Sequence, residues 1–98
     1  MPEVTLGGEL VCSTESQAET VARHLPVHIE LSRAEDGCLS FEVTQTEDPL
    51  IWHVEERFRD PKAFRAHQER VAASEWGSAT AGIERRYMIR GMDAEGQS

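Results

Sequence analysis

Apolar residues in this chain recur at every second position in four short stretches and at every third or fourth position in two longer ones. The order of those stretches leaves few folds open. In the first, 3–12, Val4, Leu6, Leu10 and Cys12 alternate with polar or small residues, as in a strand. Gly7 and Gly8 weaken it and predict a bulge or a close approach by another element. The stretch 13–37 places Ala18, Val21, Ala22, Leu25, Ile29 and Ser32 on one helical face. Thr14 and Gln17 have capping-box spacing, with Ser13 the alternative cap. Pro26 lacks a backbone donor, so a kink or two abutting helical pieces are expected near His24 and Leu25. Val27 and Leu31 fall on the opposite face, exposed or against a partner chain, and Gly37 is the expected C-terminal cap region.

Residues 38–45 alternate again, with Leu39, Phe41 and Val43 on one side. A turn at 46–49, marked by Asp48 and Pro49, leads into a third strand at 50–58, so the second and third strands form a hairpin. Trp52, Val54, Glu56 and Phe58 share one face of that strand, and Ile51, His53, Glu55 and Arg57 share the other. Asp60 and Pro61 suit the cap and first turn of a helix over 60–74, whose inward stripe is Phe64, His67 and Val71. Residues 76–82 read as a small-residue loop around Trp76. A fourth strand, 83–91, puts Arg85, Tyr87 and Ile89 on one face and Arg86, Met88 and Arg90 on the other; 91–98 reads as a polar tail.

The resulting order, β-α-β-β-α-β, gives an α+β, ferredoxin-like fold. Right-handed crossovers then produce an antiparallel four-stranded sheet in the order 4-1-3-2 with the helices on one face. A chain of 98 residues suffices for one domain, with a core at about 4–90. Two helices cover only one face of the sheet, yet both faces carry apolar residues. A second copy is the expected cover, giving a homodimer packed sheet to sheet. Cys12 and Cys38 fall at opposite ends of the sheet and are expected to stay reduced. His24 and His28, four apart, have no evident third ligand, so no metal site is expected. The net charge of −8 argues against nucleic acid and anionic membrane surfaces, and no apolar run is long enough to span a bilayer. The N-terminal residues lack a basic region followed by an apolar one, so the cytoplasm is the expected compartment.

The stretches 33–43 and 53–67 together resemble the antibiotic biosynthesis monooxygenase family, a group of dimeric α/β barrels. The resemblance rests on Arg33, Glu35, Gly37 and Cys38, then Glu56, Phe58 and Asp60, then Phe64 and His67, with His28 on the first helix. It implies oxygenation of a small quinol, anthrone or related electron-rich aromatic by dioxygen, without metal, flavin or other cofactor, in a pocket between sheet and helices. The family also includes haem-degrading members. Those carry an asparagine on the first strand, and this chain contains none.

His67, His28 and Glu56 are the candidate catalytic groups. All three are expected on inward faces, where a carboxylate requires a partner and a histidine can serve as a base near neutral pH. Trp52, Phe58, Phe64, Trp76 and Tyr87 are the candidate substrate-binding residues, with Trp76 either a plug on the core or a lid. His53 is expected on the outer face, and Arg33, Glu35 and Asp60 as scaffold. Two other functions are compatible with the same residues. One is an isomerase or degradative enzyme for a small hydroxy-carbonyl signal molecule, and the other a non-catalytic dimeric binding module.

Overall fold

The computed structural model describes residues 3–92. Its elements are β1 (Val4–Val11), α1 (Glu15–Arg33), β2 (Cys38–Gln45), β3 (Ile51–Phe58), α2 (Pro61–Ala72), α3 (Glu75–Ala79) and β4 (Glu84–Arg90). The strands form one antiparallel sheet, β2-β3-β1-β4, which is the expected 4-1-3-2 order read from its other edge. Strand alternation divides the residues as periodicity requires. Val4, Leu6, Leu10, Phe41, Val43, Trp52, Val54 and Phe58 enter the core beneath the helices.

Local chemistry explains the boundaries. The Thr14 side chain caps α1 by accepting from Gln17 N, and Ser13 N returns a bond to Gln17 Oε1. Asp60 Oδ1 accepts from Ala63 N at 2.8 Å, and Pro61 occupies the first turn of α2. The expected end of α1 is corrected: the helix stops at Arg33 with Ala34 as its cap. Gly37, at φ +98°, instead turns the chain into β2 where a Cβ would meet Ala63 Cβ at 2.7 Å. α1 continues through Pro26 as one helix, with the proline on its exposed side.

Three further expectations are revised. Ala22 is exposed, because the buried row of α1 is Val21, Leu25, His28 and Ser32. Leu39 is also exposed, because the register between β2 and β3 slips between Cys38 and Ser40 and pushes it out of the ladder. The loop expected at 76–82 contains a short helix, α3, capped by Ser74 Oγ, which accepts from Gly77 N at 3.0 Å.

Gly8 faces the close approach its sequence position predicts. It sits at φ +148°, and a Cβ there would lie 2.0 Å from the Arg86 carbonyl oxygen on β4. Gly8→Ala is expected to cost at least ~2 kcal/mol and to loosen β4 from β1. Urea denaturation measures the loss, and an unchanged midpoint would refute this account.

The outer face of the sheet is mixed. Val11, Ile51 and Met88 lie among Glu9, Glu42, His53, Glu55, Arg57, Arg86 and Arg90. His53 Nε2 lies 3.3 Å from Glu55 Oε2 there, half exposed. Residues 11 and 51 pair at one end of β3, and 38 and 58 at the other. Cys12 and Cys38 are therefore separated by most of a strand, roughly 20 Å, and both are free thiols. Among the described residues no helix is long and apolar enough to cross a membrane. Among the described residues no group of three or more His, Cys, Asp or Glu is placed to hold a metal. The polar tail, from residue 93 on, lies outside the described residues.

Candidate functional site

Three independent placements bring ionisable groups together under the sheet. The inward parity of β3 carries Glu56 into the core, 7% exposed. The stripe of α2 carries His67 to the same depth, 5% exposed, with Phe58 and Phe64 packed about its ring. The turn after α1 carries Glu35, held by Glu35 N donating to Ser32 O and Cys38 N donating to Glu35 O.

These groups form a row. His67 Nδ1 lies 2.8 Å from Glu35 Oε1, and His67 Nε2 lies 3.6 Å from Glu56 Oε1. Arg70, one turn further along α2, donates through Nε to the other Glu35 oxygen and through Nη2 to Ser32 Oγ at 2.8 Å. Glu35 is thus an acceptor for both a guanidinium and an imidazole. It fixes the His67 proton on Nδ1 and leaves the Nε2 lone pair directed toward Glu56. The scaffold role expected for Glu35 omits this contact, which joins a loop residue to a helix 32 positions away.

Burial sets the charge state. Desolvation, followed by repulsion from Glu35, pushes the Glu56 carboxyl up to about 8. Desolvation also lowers His67, against the hydrogen bond and charge of Glu35, which raise it. Near neutrality the row therefore presents a protonated carboxylic acid beside an unprotonated imidazole. His28, stacked on Trp76 with ring centroids 4.3 Å apart and edge-on to Phe41, is lowered to about 3 by desolvation and then by His67. Its Nδ1 and Glu56 Oε1 are buried without a hydrogen-bond partner among the described residues.

The row borders a cavity of about 150 Å³. His28, Glu56, His67, Trp76 and Tyr87 line it, together with Phe41, Val71, Arg85 and Ile89. Tyr87 is pushed up to about 12, chiefly by burial, so its hydroxyl is a donor. Trp52, Phe58 and Phe64 do not line the cavity. They are core residues: Phe58 and Phe64 support the His67 ring, and Trp52 lies opposite Leu10. Phe41 and Arg85 line it without having been singled out in the sequence. The Arg85 guanidinium is held at the rim by the Thr80 and Ile83 carbonyls at 2.7 and 3.0 Å.

The buried groups predict a pH signature. Glu56 titrates higher in the fold than its ordinary 4.5, so its stabilisation is full below pH 4.5 and lost as pH rises through about 8. His28 titrates lower than its ordinary 6.5, so its stabilisation is full above pH 6.5 and lost as pH falls through about 3. The two slopes oppose each other between 4.5 and 6.5 and leave Glu56 dominant above 6.5. Glu56→Gln is expected to abolish a decline on the order of 1 kcal/mol per pH unit on the alkaline side. Urea midpoints measured from pH 6.5 to 8 test this, and parallel declines in both proteins would refute it.

The family model for antibiotic biosynthesis monooxygenase matches residues 13–78, which include His28, Glu35, Glu56 and His67. Among solved structures, PA3566 from Pseudomonas aeruginosa is 26% identical, with 91% of this chain and 90% of that one covered and a TM-score of 0.67. A candidate antibiotic biosynthesis monooxygenase from Nitrosomonas europaea is 22% identical, with 91% and 96% covered and a TM-score of 0.74. MupZ from Pseudomonas fluorescens is 21% identical, with 99% and 74% covered and a TM-score of 0.79. The likeness to the last two is one of fold. No protein of curated function matches the chain.

Proposed function

This chain belongs to the antibiotic biosynthesis monooxygenase family, and we propose that it is a cofactor-independent monooxygenase acting on a small quinol or related electron-rich aromatic. The observation that carries this reading is the Glu35–His67–Glu56 row at the wall of a largely apolar cavity. His67 Nε2 takes the proton of a substrate hydroxyl. The neutral Glu56 carboxyl, with the Tyr87 hydroxyl, donates to the oxygen as charge develops, and water exclusion strengthens both contacts. The anion passes one electron to dioxygen, and the radical pair combines to a peroxide. That peroxide collapses so that one oxygen atom remains on the ring and the other leaves as water. His28, unprotonated against Trp76, provides a polar edge for the substrate rather than the base.

On the same reading the chain is a single domain acting in the cytoplasm, where two separated thiols stay reduced. It forms a homodimer through the outer sheet face, with Val11, Ile51 and Met88 at the contact. Oxygen uptake by metal-stripped protein with a panel of reduced quinols tests the activity. Uptake matching quinol consumed, one to one, is the expected result. A substrate that binds without uptake above the uncatalysed rate would sink the proposal.

A further inference from the structure

The cavity has a neighbour. A groove of about 360 Å³ runs over the helical side of the protein, bordered by Val27, Leu31 and Arg70. Val27 and Leu31 are 62% and 45% exposed among the described residues. Two residues, His28 and Trp76, line both the groove and the cavity. Their rings are stacked 4.3 Å apart and nearly parallel, at 4°, so the pair forms the partition between the two spaces.

That partition is built to stay in place. Trp76 belongs to α3, only five residues long but held at both ends. Its own carbonyl accepts from Thr80 N at 2.9 Å and from Thr80 Oγ1 at 2.6 Å. Ser74 Oγ donates to Val71 O at 2.7 Å and accepts from Gly77 N. Gly77 lies so close to the end of α2 that a Cβ would meet Val71 O at 2.1 Å. Trp76 is 7% exposed, and no residue of α3 adopts a positive φ.

We infer that Trp76 is a fixed wall that limits the ligand to a single six-membered ring, so that the cavity selects benzene-sized quinols over fused polycyclic substrates such as anthrones. A space of about 150 Å³ accommodates one such ring. A fused tricycle needs more than that space, and with the α3 backbone held at both ends the indole stands between the cavity and the groove into which a longer ligand would extend. Removing the indole joins the cavity to the groove and supplies the missing length. This inference rests on the cavity being the substrate site. It does not depend on the oxygenase chemistry, because it is read by binding alone.

The test is anaerobic calorimetric titration of the full chain with benzene-1,4-diol, naphthalene-1,4-diol and anthrone, for wild type, Trp76→Phe and Trp76→Ala. Wild type is expected to bind the single-ring diol at least about tenfold more tightly than anthrone. Trp76→Ala, if folded by circular dichroism, is expected to reverse that order, with Trp76→Phe between the two. Wild type alone decides the ring limit should the alanine variant unfold. Equal binding of all three ligands by wild type, or an unchanged order in a folded variant, overturns the inference. Absence of binding by every ring overturns both this inference and the substrate site. Binding in the expected order without oxygen uptake in air preserves the inference and removes the oxygenase.

Discussion

His67→Ala is expected to lower quinol-dependent oxygen uptake by about 10²- to 10⁴-fold, the usual range for loss of a positioned general base. The imidazole lines the cavity, with Nε2 3.6 Å from Glu56 and Nδ1 engaged 2.8 Å from Glu35. Deleting it also leaves a void among Phe58, Phe64 and Phe41, so some stability is lost as well. His67→Gln separates the two effects. Glutamine fills most of the volume and can hydrogen-bond Glu35, but it has no titratable nitrogen. Both variants are compared with wild type by oxygen electrode and by urea denaturation. Retention of near wild-type uptake by a folded His67→Gln would show that the base lies elsewhere.

Glu35→Ala carries the next largest effect. Glu35 accepts from Arg70 and from His67, and its side chain is only 17% exposed. Its removal leaves the Arg70 guanidinium, 28% exposed, with Ser32 as its one remaining hydrogen-bond partner among the described residues, and lets the His67 ring lose its fixed tautomer. A cost of about 2–3 kcal/mol is expected, somewhat below that of breaking a fully buried pair. Uptake should fall about 10- to 100-fold through misorientation of the base. The pH dependence identifies the cause. Glu35 raises the His67 pKa, so without it the acid limb of the rate profile moves to lower pH. Glu35→Gln should restore much of the stability while keeping the shifted limb. An acid limb that stays in place in both variants would reduce Glu35 to a structural ion pair.

Period-two and period-3.6 patterns report which way a side chain faces within its own element, and here they report it well. The parity of β3 separates Glu56 from Glu55 and His53, and the stripe of α2 turns His67 inward; both follow from spacing alone. Leu39 is an instructive failure. Its parity matches Phe41 and Val43, but one slipped position between β2 and β3 expels it. A bulge is a relation between two strands, and neither strand's pattern contains it. Glu35 escapes for a related reason. It lies in a turn, where no periodicity exists, and its function as an acceptor appears only once α2 is packed across the end of α1.

Periodicity and capping chemistry were enough for the order of the four strands and two long helices, the sheet's strand order, the cap at Asp60, and the inward placement of Glu56, His28 and His67. Each of these is set by local backbone chemistry or by burial of an amphipathic face. Which aromatic side chains surround the cavity emerges from the packed fold alone. Trp52, Phe58 and Phe64 are as apolar and as inward as Phe41 and Trp76, yet only the second set lines it. That distinction depends on how far each helix is offset along the sheet. The offset is a sum of packing contacts among all the elements, and no single stretch of chain encodes it.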